Sequence, residues 1–500
     1  MKKILVANRG EIALRVMKAC REMGIPAVAV YSTSDKGSLH VQYADESACI
    51  GPPPPLESYL NIEKILSTAK ELGADAIHPG YGFLAENSEF ARRCSEEGIV
   101  FIGPGHEAMR LLGNKVESRK AMVAVGVPVI PGMMGAGKDA ASLTKEATDM
   151  GLPVLVKAAG GGGGKGMRII REARELGDSL SACMREAKSA FGDDTIYLER
   201  YIERPRHIEF QILADHHGNV VHLFERECSI QRRYQKIVEE TPSVALTPEL
   251  RKKMGEVAVK VAKTAGYTNA GTVEFLLDEG GEFYFLEVNA RVQVEHPITE
   301  AVVGVDLVKQ QIRIASGEKL SMKQDELRQR GHAIECRIYA EDPESNFLPC
   351  AGKILLVKEP EGPGIRCDSG IWSGCDVSVH YDPILSKLVV WDETREQACR
   401  KMAVALKQYA ILGIKTTVSF LADVMEHPAF LEGKTHTGFI PEHFPNWKSG
   451  ETGGPERQIA LLAAAALDSR ATAPRMTGAR TVDAFSPWKS GSKWRIGGGD

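Results

Sequence analysis

The 500-residue sequence has no long apolar run. Its longest, Ile459–Leu467, is nine residues, too short to cross a bilayer. The apolar start of MKKILVANRGE stops after four residues, short of the core a secretory signal needs. Neither sign of charge dominates: 62 Lys and Arg against 66 Asp and Glu leave a formal −4. That balance argues against a dedicated nucleic-acid binder. The ten cysteines form no C-x-x-C pair and no cluster with zinc-ligand spacing, so reduced, mostly buried thiols are expected. Together these absences predict a cytoplasmic protein with no membrane and no nucleic-acid partner.

What remains is globular. Hydrophobic content of 43% with 26% charge excludes general disorder, and the length suggests about three domains. Residues 1–113 alternate strand and helix signals: KILVA (3–7), a helical pattern on Ile12, Val16, Ala19, Cys20 and Met23, then AVAVY (27–31), ADAIHPG (74–80) and GIVFIG (98–103). They read as an open parallel sheet, with GPPPPLESY (51–59) as an extended loop. Residues 114–331 read as an α+β unit with strands at 153–159, 167–171, 207–213 and 220–227 and a hairpin at 271–289. Residues 332–446 carry short strands and a helix around 394–409. Residues 447–500 hold an alanine-rich helix pattern (455–468) and two copies of Trp-Lys-Ser-Gly. They read as a docking strip, or equally as a helix packed back on the body with a frayed end.

Glycine, at 49, is in excess, and much of it lies in Lys157-Ala-Ala-Gly-Gly-Gly-Gly-Gly-Lys-Gly-Met167. A glycine run between strands lets successive N–H groups wrap an anion without Cβ clashes. The spacing is not that of a Walker A loop, since Ala159 and Gly166 stand at its Gly and Ser/Thr positions. A phosphate-covering hairpin fits better, with a plain flexible turn as the alternative.

The hairpin GTVEFLLDEGGEFYFLEVNAR (271–291) carries the sharpest geometry. A turn at Asp278–Gly281 pairs Leu277 with Glu282 and sets Glu274 opposite Phe285. Glu274, Glu287 and Asn289 then share a face, with Glu287 the diagonal neighbour of Glu274. Two such carboxylates among Phe275, Leu276 and Phe285 repel unless a cation joins them, and the oxygen set suits Mg²⁺ on nucleotide phosphates. A solvated face is the alternative, and a one-residue slip of the turn would defeat the pairing. Downstream, period-2 spacing places Arg291, Gln293 and Glu295 together, fit for a small planar oxyanion and a base. His296 then points away and reads as structural. Gln231-Arg-Arg-Tyr-Gln-Lys236 is an anion-attracting loop or only a solvated charged face.

At these residues the sequence resembles the biotin carboxylase family of ATP-grasp ligases. The blocks are ILVANRGEIALRV (4–16), HPGYGFLAEN (78–87), FIGP (101–104), KAAGGGGGKGMR (157–168), QRRYQK (231–236), EVNARVQVEHPITE (287–300), GHAIECRIYAEDP (331–343) and YDPILSKL (381–388). The resemblance implies an N-terminal parallel-sheet domain (1–113), an ATP-grasp domain (114–331, lid about 131–203) and a C-terminal biotin carboxylase domain (332–446), with 447–500 as an extension. It implies nucleotide phosphates on Lys115 and Lys157 and beneath Gly162, Gly163 and Gly164. Adenine and ribose fall to Glu199, Ile202, His207 and Gln231. Mg²⁺ or Mn²⁺ falls to Glu274, Glu287 and Asn289, and bicarbonate to Lys236, Arg291, Gln293 and the backbone of Val294. Glu295 resembles the general base and Arg337 the group that stabilises the biotin enolate. Departures are Gly113-Asn114-Lys115 for Gly-Asp-Lys, Tyr234 where some relatives have histidine, and Leu348–Gly352.

The activity so implied is ATP- and bicarbonate-dependent carboxylation of biotin through carboxyphosphate. No Met-Lys-Met tripeptide, the usual biotin-attachment signature, occurs. A separate biotin carboxyl carrier protein and a separate carboxyltransferase are therefore expected, and a homodimer by resemblance. The rival readings are another ATP-grasp ligase, of carbamoyl-phosphate or purine type, and a catalytically dead ATP-binding protein. HPGYGFLAEN with RVQVEHPITE disfavours the first; the intact set of Lys236, Glu274, Glu287, Arg291, Glu295 and Arg337 disfavours the second. The final carboxyl acceptor is left open.

Overall fold

Four short apolar segments and one mixed edge strand set the first sheet: Ile4–Val6 (β1), Ala27–Ser32 (β2), the edge strand Glu46–Gly51 (β3), Ala76–His78 (β4) and Val100–Phe101 (β5). The structure is a computed structural model that describes residues 1–134, 139–158, 167–191 and 195–450. All five strands run parallel in the order β3-β2-β1-β4-β5. Helix Gly10–Glu22 (α1) covers the sheet with Ile12, Val16, Ala19 and Cys20 buried; Met23 caps its end. The expected loop at 51–59 carries one 3₁₀ turn, Pro55–Glu57. Strand order reverses at β1, so the loops after β1 and β4 flank a switch-point crevice, where open α/β sheets bind ligands. Asn8 ties those loops together, its amide donating to the carbonyls of Pro79 and Tyr81, both at 2.7 Å.

The glycine-bearing segment forms a separate four-stranded antiparallel sheet. Gly132–Met134 (β6), Val154–Ala158 (β7), Met167–Ile170 (β8) and Ile196–Arg200 (β9) lie in the order β6-β9-β7-β8. Its own core includes Leu143, Ala147, Val154, Val156 and Leu198. The strands β7 and β8 pair as the hairpin arms expected around the glycine run. Gly162, Gly163 and Gly164 themselves lie outside the described residues.

An eight-stranded antiparallel sheet carries the rest. Its strands are Arg206–Ala214 (β10), Val220–Arg232 (β11), Gln235–Thr241 (β12), Asn269–Leu277 (β13), Phe283–Asn289 (β14), His332–Tyr339 (β15), Ile365–Ser369 (β16) and Ile384–Asp392 (β17). They lie in the order β14-β13-β10-β11-β12-β15-β17-β16. The pairing of β12 with β15, Glu239 opposite Glu335, runs across the expected division at 331/332. One face of β10, β13 and β14 is aromatic: Phe275 meets Phe210, Phe283 and Phe285 edge-on at 5.6–6.4 Å between centroids. The other face is polar. Residues Met1–Lys448 hold together as one unit. Trp447 belongs to it, packing on Phe420 and donating its indole N–H to Asp423 at 2.6 Å. The helix and docking strip expected beyond it fall on 451–500, outside the described residues.

Candidate active site

The hairpin of β13 and β14 reaches the expected outcome by a different register. A single side chain sets the turn: Asp278 accepts from the N–H groups of Gly280 and Glu282, both at 2.9 Å. This draws Glu282 into the turn, so Leu277 pairs with Phe283 rather than Glu282. A bulge at Leu286 then adds one more residue, and Glu274 comes to face Glu287, not Phe285. Two one-residue shifts restore the parity that one would have destroyed. Glu287 is therefore the direct, not diagonal, neighbour of Glu274, while Phe285 turns to the aromatic core.

Glu209 on β10 is also directly opposite Glu274, and Arg226 on β11 is opposite Glu209. A row of Arg226, Glu209, Glu274 and Glu287 thus crosses four strands on one face. Lys236, from β12, reaches into it. Its ammonium donates to Glu209, to Glu274 at 2.7 Å and to Glu295 at 2.8 Å. Burial acts to lower the pKa of Lys236, but the three carboxylates outweigh it and hold the amine well above its ordinary range.

The segment after β14 is not the extended strand that period-2 spacing suggests. Residues 290–295 are irregular, and Glu295 is the cap before helix His296–Val303 (α2). Side-chain bonds hold the segment instead. Glu86, from the HPGYGFLAEN block, accepts from the Ala290 N–H and the Arg291 guanidinium, both at 2.9 Å. Arg291 also donates to Asn289 Oδ1, and Asn289 in turn to Glu274 Oε1 at 2.7 Å. Gln293 donates to the same oxygen at 2.9 Å and accepts from Arg226 at 2.7 Å. Glu295 lies between Lys236 and Arg337, whose Nη2 donates to it at 2.9 Å. Burial pushes Glu295 up, yet Lys236, Arg337 and Arg226 prevail and hold it well below the usual carboxylate range. His296 is buried with Nδ1 on the Gln293 carbonyl, as its structural reading expects.

The residues expected at the nucleotide lie along the same polar face and on the small sheet. His207 approaches Glu274 at 3.1 Å through Nε2 and Gln231 at 3.0 Å through Nδ1. Lys115 extends toward Glu287 at 3.8 Å and is otherwise largely exposed. Lys157 on β7 donates to Glu199 on β9, joining two of the expected residues in the small sheet. Ile202 is buried just beyond that strand. The expected loop 231–236 is a strand end, a two-residue turn and a second strand. Its Arg232 is tied to Glu341 at 2.5 Å, so it does not face the carboxylate row as a free cation. Glu287 is the group that calls for a metal. Burial and the facing Glu274 push its pKa up, and Lys115 offsets this only in part. Glu274, Glu287 and Asn289 offer oxygens that would hold a divalent cation, whose charge would relieve that repulsion, so the residues present fit Mg²⁺.

Family models match the chain in three consecutive pieces: "Biotin carboxylase, N-terminal domain" over residues 1–109, "Carbamoyl-phosphate synthase L chain, ATP binding domain" over 114–323, and "Biotin carboxylase C-terminal domain" over 335–442. The chain is 52% identical to a biotin carboxylase of Nostoc over 440 residues, 88% of this chain and 98% of that one. The chain belongs to the biotin carboxylase family. A pyruvate carboxylase subunit from Methanothermobacter thermautotrophicus is 54% identical over 88% of this chain and 90% of its own length. The alpha subunit of mouse mitochondrial methylcrotonoyl-CoA carboxylase is 48% identical over 99% of this chain and 69% of its own. Among solved structures, the biotin carboxylase domain dimer of Hydrogenobacter thermophilus 2-oxoglutarate carboxylase, in complex with MgADP, ADP and bicarbonate, superposes with a TM-score of 0.84. It is 49% identical, with 90% of this chain and 99% of that one covered.

Within this biotin carboxylase fold, sequence reasoning missed several residues of the centre. Glu209 and Gln211 were findable, because HIEFQIL alternates polar and apolar and puts both on the face of His207. Arg226, fully buried and bonded to Glu209, Gln211, Thr272, Gln293 and Thr299, left no such signal. Nor did Glu239, which accepts from Arg337 Nε at 2.6 Å.

Proposed function

We propose that the Lys236–Glu295–Arg337 centre is where this biotin carboxylase activates bicarbonate and passes carbon dioxide to biotin. The reaction is ATP- and bicarbonate-dependent carboxylation of biotin, giving carboxybiotin, ADP and phosphate. One observation carries the assignment: a buried carboxylate, Glu295, shared by two cations from different strands. Bonded to both, it is a weak base. An anion that takes Lys236 and Arg291 as its own partners loosens Lys236 from Glu295, which raises the basicity of Glu295 beside the proton to be removed. Deprotonated bicarbonate attacks the γ-phosphorus, ADP leaves, and carboxyphosphate forms; positioning and charge neutralisation do most of the work. Glu274 and Glu287 would hold Mg²⁺, which would supply neutralisation of the phosphate charge. Carboxyphosphate releases carbon dioxide, phosphate takes the ureido N–H proton, and Arg337 stabilises the enolate-like oxygen. An arginine suits that role because it stays charged at any working pH.

In this reading Lys115, Lys157, Glu199, Ile202, His207 and Gln231 hold the nucleotide, with Gly162, Gly163 and Gly164 over its phosphates. Gln293 and the Val294 backbone complete the bicarbonate site. Residues 1–113, 114–331 and 332–446 act as the three functional parts, and 447–500 as an extension. The partners are a biotin carboxyl carrier protein, a carboxyltransferase and a second copy of the chain, and the setting is cytoplasmic. No helix among the described residues is long and apolar enough to cross a membrane. Arg337→Ala tests the assignment: biotin carboxylation falls far more than nucleotide affinity. Loss of nucleotide affinity first would remove Arg337 from the biotin site.

A further inference from the structure

Lys387 on β17 is fully buried, amine included. A lysine seldom tolerates that without partners, and its partners come from three parts of the chain. Its Nζ donates to the carbonyl of Val294 at 3.0 Å. It lies 3.1 Å from Glu11 Oε2 in the first turn of α1 and 3.8 Å from Asp368 Oδ2 on β16. The register sets Lys387 directly opposite both Arg337 on β15 and Asp368, so the three side chains share one face. Glu11 is itself fixed by the Tyr81 hydroxyl. The backbones also meet here: a Cβ on Gly370, next to β16, would lie 2.9 Å from the Glu11 nitrogen.

We infer that Lys387 is a positioning residue for the carboxylation chemistry. It pins the Val294 carbonyl, which belongs to the peptide that leads into Glu295, and so sets where the Glu295 carboxylate meets Lys236 and Arg337. Segment 290–295 has no strand ladder to fix it; Glu86 anchors its start, and Lys387 anchors its end. The same amine ties that anchor to the switch-point crevice through Glu11 and Tyr81. Seating of the N-terminal sheet and alignment of the base are thereby coupled at one atom. The inference rests on Glu295 being the base.

The test is Lys387→Met in the full chain, with kinetics against bicarbonate and ATP separately. The expected result is a fall of about 10–100-fold in kcat/KM for bicarbonate, the scale of a misplaced catalytic group, with the KM for ATP and the affinity for MgADP held within about twofold. Unchanged bicarbonate kinetics, or a rise in the KM for ATP or a loss of MgADP affinity as large as the loss toward bicarbonate, would overturn it. Should Lys387→Met not fold, Glu11→Gln takes its place. It leaves the amine and carbonyl but removes the carboxylate that orients them. It should lower kcat/KM for bicarbonate at least about threefold, a weakened hydrogen bond, and unchanged bicarbonate kinetics would again overturn the inference. Glu295→Gln run alongside separates the two levels. If it stays active, the base assignment is wrong; if it is inactive while Lys387→Met is normal, only the role of Lys387 fails.

Discussion

Glu295 has two cations hydrogen-bonded to it, Lys236 and Arg337, and the first expectation at the residue scale follows from that sharing. Glu295→Gln keeps the shape and removes the charge. It should lower kcat by about 10²–10⁴-fold, the usual worth of a positioned base, while ADP affinity by calorimetry stays within about twofold. Equal losses in both would mean a structural role. Glu287→Gln should weaken MgADP binding relative to metal-free ADP, because Glu287 is the carboxylate that burial and the facing Glu274 push up. Equal affinities for the two forms would contradict a metal on that pair. Candidate site residues were legible where polar groups are compressed into a short motif, as in Arg291–Glu295. They were not where partners lie far apart in sequence: Lys387 and Val294 are 93 residues apart, and Arg226 and Gln293 are 67.

At the scale of elements, the hairpin of β13 and β14 shows how a correct face can come from an incorrect register. The Asp278 side chain lengthens the turn and Leu286 bulges, and neither is visible in an alternation of apolar and polar residues. The aromatic face beneath is what fixes the strands once the turn has formed. Phe275 is fully buried among Phe210, Phe283 and Phe285. Phe275→Ala should therefore cost about 3–5 kcal/mol, read as a lower denaturant midpoint. A shift of less than about 1 kcal/mol, the range of tolerated core swaps, would mean that the polar face, not the core, holds the register. Elsewhere four of the five strands of residues 1–113 were plain from sequence because buried parallel strands are short apolar runs between helices; the edge strand Glu46–Gly51, largely exposed and mixed in polarity, carried no such run. The irregular segment 290–295 was read as a strand because period-2 spacing of polar residues cannot distinguish a ladder from side chains converging on one buried carboxylate.

At the largest scale, residues Met1–Lys448 are joined by the sheet that runs through the expected division at 331/332 and by buried charge. Sequence order suggests separate domains there; the pairing of β12 with β15 depends on backbone partners about 100 residues apart, which no local signal reveals. Burial also ties the stability of the fold to pH. Desolvation lowers His40 to about 4, His78 to about 3 and His222 to about 4, so all three are neutral in the folded chain near neutral pH. Unfolded histidines take up protons below about pH 6.5. The unfolded state then binds more protons, and stability falls as pH drops from about 6.5 toward 4, by up to about 1.4 kcal/mol per pH unit for each histidine. Burial raises the carboxyls of Glu239, Glu335 and Glu11, which therefore bind protons in the folded chain over the same range and oppose this trend. The histidine share is read as a difference: thermal melts of His222→Gln should lose less Tm than the parent between about pH 6.5 and 5, and parallel profiles would contradict a buried neutral His222. The most direct test of the function is ATP hydrolysis by the full chain, measured with bicarbonate and biotin each added or withheld, alongside labelled carbon from bicarbonate. ADP should form at a substantial rate only when both are present, with label in carboxybiotin in proportion. Equal hydrolysis without biotin, or hydrolysis with no labelled carboxybiotin, would contradict it.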